Sequence, residues 1–182
     1  MTTIETINYK GYRINLMPDN DAESPRNHVT MGTIAAKDEE FDLADDDGFE
    51  PKSVEDFVDR LAQRGGIDPD NLDDHYLVLP IRMYKHSSVA LSTSTEHPFN
   101  DPWDSKLTGW IYVSHDEIEE HYGDLSEESI QNARDRVANE VHTYSNYIAG
   151  NVVGYQVETE DGEPTDMSCF GFYDTDYAVE EA

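Results

Sequence analysis

Around residues 7–17 the β-forming side chains Tyr9, Tyr12, Ile14 and Leu16 surround Lys10-Gly11, a pattern that predicts a hairpin turning at that dipeptide. Residues 18–27 read as a loop, and 29–36 as a short strand that Gly32 weakens. Ser53 then starts a helix: it can cap, Asp56 suits the third helical position, and Val54, Phe57, Val58 and Leu61 form one apolar face that Gly65-Gly66 ends. Residues 75–84 are a strongly apolar β segment in which Pro80 marks an edge or a bulge, and 87–93 form a second run. A loop over 94–106 delivers Trp103 before a strand at 109–113. Ser114 and Glu117 make a capping box for a short helix to about Tyr122. Ser126 caps a longer helix ending at Gly150, with Leu125 and Ile130 placed as a hydrophobic staple. Ile130, Ala133, Val137, Val141, Tyr144 and Ile148 follow one another at steps of three or four, one core-facing stripe. Residues 152–159, a turn at 160–163 and residues 167–173 predict a closing hairpin. The order fits a single α+β domain over 1–182, an antiparallel sheet with two or three helices packed on one face.

Charge changes this picture more than any motif does. The 182 residues hold 40 Asp and Glu against 12 Lys and Arg, a net charge of −28, and the acids are dispersed rather than gathered in a tail. Lysine occurs only at 10, 37, 52, 85 and 106, and beyond Leu107 the only bases are Arg134 and Arg136. Residues 37–52 carry eight acids and predict a solvated loop or flap. Such a chain is a poor partner for free nucleic acid, an anionic membrane or an acidic substrate, and a good one for a basic protein surface. Two causes fit. An acidic, lysine-poor surface suits concentrated salt, where a Debye length of about 3 Å at 1 M screens self-repulsion. Carboxylates can also imitate duplex phosphates, which come at about one per 1.7 Å of axis. The only cysteine, Cys169, excludes an internal disulfide, and together with the lack of a leader-like or bilayer-length apolar run it favours a cytosolic setting.

Signatures for phosphate loops, dinucleotide binding, nucleophile elbows and HExxH zinc sites are absent, and no cofactor is implied. A calcium loop with Gly48 at its sixth position would place Leu43 and Val54 where carboxylates are needed. None of the seven histidines pairs with another at helical ligand spacing. His86 and His97, with Asp101 or Asp104, are the candidates for a hydrolytic or metal-dependent site, set against ordinary strand-end histidines. Ser87, Ser92 and Ser105 have no base at a recognisable offset. Trp103, between Pro102 and Asp104, reads first as a ring packed back onto the sheet, with a recognition anchor as the functional alternative, whereas Trp110 lies in a strand and belongs to the core.

Tyr84-Lys85-His86-Ser87, Pro98-Phe99, Pro102-Trp103-Asp104-Ser105, Gly109-Trp110-Ile111-Tyr112-Val113-Ser114, the segment from Tyr144 to Gly150 and Cys169-Phe170-Gly171-Phe172-Tyr173 carry a resemblance. The combination resembles a family of small phage and mobile-element proteins whose members read YDHSG, CPWDSG, a GWIYVS-like strand and SCWGFYG. The likeness extends over about half of the chain, within residues 75–173, with a weaker echo at Met31-Gly32-Thr33. Lys85 stands where an acid is usual, Asn100-Asp101 where a cysteine is common, and Phe170 replaces a tryptophan, which weakens any chemical role for the acid or the cysteine. The resemblance implies a setting, the accessory genes of viruses and integrative elements, where small acidic proteins often inhibit host restriction or CRISPR-type nucleases. The expectation is therefore a non-enzymatic acidic binder, with Asp45, Asp46, Asp47, Trp103, Asp104, Glu117, Glu119 and Glu120 as its partner-facing residues. The alternatives are a small enzyme using His86, His97 and Asp104, and a structural or regulatory protein that is acidic because its host is salty.

Overall fold

The structure, a computed structural model, describes residues 3–45, 49–86, 88–94 and 105–182. Its strands are β1 (Glu5–Tyr9), β2 (Tyr12–Pro18), β3 (Thr33–Ala36), β4 (Tyr76–Lys85), β5 (Val89–Ser92), β6 (Ser105–Ser114), β7 (Val153–Thr159) and β8 (Pro164–Phe172). Its helices are α1 (Val54–Gly65), α2 (His115–Tyr122), α3 (Glu127–Ile148) and α4 (Thr175–Glu181). Two compact units result, one made of Met1–Asn27 and Thr143–Ala182, the other of His28–His142, so that their boundary falls within α3. No helix among the described residues is long and apolar enough to cross a membrane.

The α+β class holds, but the strands divide between two antiparallel four-stranded sheets where one was expected. Periodicity marks a strand without naming its neighbour. Here β2 pairs with β7 from Tyr12↔Thr159 to Pro18↔Val153, so the first and last hairpins close on each other in the order β1-β2-β7-β8. Lys10 and Gly11 both take positive φ, 47° and 82°, as a tight two-residue turn between twisted strands requires. Leu16, Val153 and Ala178 form the buried centre of this unit, with Ile7, Tyr155 and Phe172 against it. Helix α4, which periodicity over seven residues does not reveal, is capped by Asp174 accepting from the Tyr177 N–H.

The other unit is built on the order β3-β6-β4-β5. Gly109 is required in β6, because a Cβ there would lie 2.3 Å from the Ala35 carbonyl oxygen of β3. Pro80 is tolerated in a central strand because β5 pairs only with Arg82–Lys85, leaving Pro80 without a strand neighbour on that side among the described residues, and the ladder to β6 shifts just after it. Trp110 is buried as expected and stacks on Phe57 of α1 at 4.5 Å. The predicted cap is present, Ser53 Oγ accepting from Asp56 N–H at 3.1 Å, and Gly66 ends α1 in the left-handed region. Along α3, Ala133, Val137 and Val141 are buried, as the stripe requires. The staple is not formed, since Leu125 stays exposed; the start of α3 is organised instead by Ser126 and the buried Ser129 around Asp124.

Candidate acidic binding surface

Helix α2 is eight residues long and owes its position to one buried side chain, Ile118. Its capping box is complete: Ser114 Oγ accepts from Glu117 N–H at 3.2 Å, and Glu117 Oε2 accepts from Ser114 N–H at 3.0 Å. With Ile118 directed inward, Asp116, Glu117, Glu119 and Glu120 all fall on the exposed arc, and α2 holds no Lys or Arg. At 1.5 Å per residue these four carboxylates span about 6 Å of axis, or about one per 2 Å. That density is close to the one charge per about 1.7 Å of a duplex. Exposed Asp124, Glu127 and Glu128 continue it into the first turn of α3. Asp124 accepts from the Ser129 hydroxyl at 2.5 Å and from Ser126 N–H at 3.0 Å; those bonds hold its pKa down, to about 2.

Beside this arc lies a groove of about 360 Å³ lined by Val29, Thr30, Met31, Glu117, Glu120, His121 and Arg136. The Met31 side of the groove is held by Glu140, whose two carboxylate oxygens accept from Met31 N–H at 2.7 Å and Gly32 N–H at 3.0 Å. Arg136 is taken up internally, by Glu140 at 3.6 Å and His121 Nε2 at 2.9 Å.

The acidic loop after β3 differs from the solvated flap expected of it. Leu43 and Phe49 are buried, and Arg64 lies 4.2 Å above the Phe49 ring. Asp38, with a side chain 1 % exposed, accepts from Lys85 and Lys106 at 2.8 Å each and from Glu40 N–H at 3.0 Å. Burial alone would raise its pKa, but the hydrogen bonds from Lys106, Lys85 and the backbone outweigh it and keep the carboxylate well below its ordinary range. Lys85 also pairs with Glu40 at 3.0 Å, and Lys37 pairs with Glu50. Three of the five lysines are thus committed to this loop.

Of the partner-facing residues expected from the sequence, Glu117, Glu119 and Glu120 are brought together on α2, with Glu117 also serving the cap. Asp45 belongs in part to the fold: its Oδ2 accepts from Ile34 N–H at 2.7 Å. Asp46, Asp47, Trp103 and Asp104 lie outside the described residues, as do His97 and Ser87. His86 is exposed at the end of β4, and among the described residues no three of His, Cys, Asp and Glu are grouped to hold a metal ion. The Asp38 clamp was missed because its lysines stand 47 and 68 residues away, a separation that no local pattern reports. Compared with family models, curated proteins and solved structures, the chain matches none.

Proposed function

We propose that this is a non-catalytic acidic binding protein that docks α2 and the first turn of α3 on a basic protein surface, of the kind with which a defence nuclease holds duplex phosphates. The observation that carries the reading is the exposed row Asp116, Glu117, Glu119 and Glu120, spaced along the axis much as phosphates are and free of Lys and Arg on its own helix. Glu117 and Glu120 also border the groove, where a partner's Lys or Arg side chain would meet carboxylates rather than water. The loop acids contribute less than their number suggests, because Asp38, Asp45 and Glu50 already have internal partners.

A titration tests this. The protein is added, in moderate salt, to restriction and CRISPR-type nucleases bound to labelled duplex. Displacement that weakens steeply as salt rises supports the reading; retention of duplex by every nuclease tried removes it.

Salt adaptation is favoured as a second property by the reach of the acidity. The unit containing both termini has 13 acids against 3 bases, and the unit His28–His142 has 27 against 9, so the excess is not confined to one unit.

A further inference from the structure

We infer that the outer edge of β8 is a second docking surface, one that takes an extended peptide with apolar side chains in its middle and Lys or Arg at both ends. Among the described strands β8 is paired only with β7, so the backbone groups on its other edge have no strand partner, although the Met167 N–H is taken by Thr165 Oγ1 at 3.2 Å. Proteins commonly blunt such edges by keeping them short or charged. The other three edge strands here follow that rule, with β1 five residues long and β3 and β5 four each. β8 has nine residues, and although its ladder to β7 shifts register on either side of Ser168 and Cys169, those two stay in step with Gln156 and Tyr155. Residues 167–173 hold no charge at all, and Met167, Ser168, Cys169, Phe170 and Gly171 are exposed. The Phe170 ring is fixed over Gly154 of β7, where a Cβ would lie 2.1 Å from it, so the apolar surface is part of the sheet.

The charge around this run chooses the occupant. Exposed Glu163 and Asp166 stand at one end, and exposed Asp174 and Asp176 at the other. A strand added here makes main-chain hydrogen bonds along the neutral stretch and places its terminal residues near those acids, where Lys or Arg is attracted. A second copy of the chain fits less well. Antiparallel pairing centred on Phe170 would set Asp166 of one copy opposite Asp174 of the other, twice, and would join two bodies of charge −28.

The probe is a fluorescent nine-residue peptide of alternating Val and Thr with Lys at both ends. Two companions are used, one with Glu at both ends and one N-methylated along a single edge. The Lys-ended peptide is expected to bind at least about tenfold more tightly than either companion, with a salt-sensitive affinity. Adjacent strand residues direct their N–H groups to opposite sides, so one of Ser168→Pro and Cys169→Pro faces outward. That variant is expected to keep the parent melting temperature and lose the peptide. Met167→Lys, which leaves the ladder intact and adds repulsion, is expected to weaken binding about tenfold. Equal binding of all three peptides, binding of none, or binding that survives both proline substitutions overturns the inference. Self-association seen by sedimentation and removed by the outward proline would also overturn it, by making a second copy the occupant.

Discussion

Lys85 of β4 and Asp38 of the acidic loop meet at 2.8 Å, with the carboxylate almost wholly shielded from water. The densest run of acids in the chain is thereby tied to the sheet, and its first carboxylate is withdrawn from any partner. Asp38→Asn removes the charge that two lysines share and leaves a buried amide in its place. It is expected to lower stability by about 1–3 kcal/mol in denaturant unfolding. Lys85→Met leaves Lys106 on the carboxylate and is expected to cost less. If the two substitutions cost the same in full and add when combined, the residues are not coupled.

Phe49 tests the loop from its apolar side. Its ring stacks on Phe57 at 5.9 Å, meets Tyr112 edge-on at 5.8 Å and is covered by Arg64. Phe49→Ala is expected to cost about 3–5 kcal/mol, a core-sized loss from a segment whose composition reads as solvent-facing. Loss of less than about 1 kcal/mol would mean that the loop is not anchored there.

Acid should act on the turn between α2 and α3. The folded pKa of Asp124 is depressed to about 2 from an ordinary 3.8, so its contribution is complete above the ordinary value and disappears as pH falls through the folded one. Asp124→Asn is therefore expected to be less stable than the parent near neutral pH, and the gap should close towards about pH 2. A gap unchanged across that range would dissociate the residue's role from its charge.

Local chemistry was legible in the sequence and long-range partnership was not. The turn at Lys10-Gly11, the Ser53 cap, the capping box of Ser114 and Glu117, and the α3 stripe depend on residues within a few positions of each other. The β2–β7 pairing and the Asp38 clamp depend on residues brought together by the whole chain. The same contrast holds for the proposed binding surface. Exposure of Glu119 and Glu120 follows from the inward position of Ile118, whereas the internal use of Asp45 depends on β3, eleven residues away. Counting acids overstated the loop, because a carboxylate's availability depends on who else has claimed it.

Ionic strength separates self-repulsion from specific pairing. With −28 on 182 residues, the melting temperature is expected to rise from low salt towards about 1 M, where the Debye length is about 3 Å. The shielded Asp38 clamp responds less than surface charges do, so Asp38→Asn should show a parallel rise. A melting temperature flat in salt would remove the salt-adaptation reading.

If position on α2, and not net charge, makes the proposed binding surface, charge reversal at matched sites separates the two. Glu119→Lys with Glu120→Lys changes the exposed arc while sparing Glu117 and its cap; Glu180→Lys with Glu181→Lys makes the same change in net charge on exposed positions at the carboxyl terminus. Both variants and the parent are titrated, at one fixed salt concentration, against a nuclease holding labelled duplex, with circular dichroism as the control for folding. The α2 variant is expected to lose at least about tenfold in displacing power while the terminal variant matches the parent. Equal loss in both variants, or none in either, would contradict the proposal.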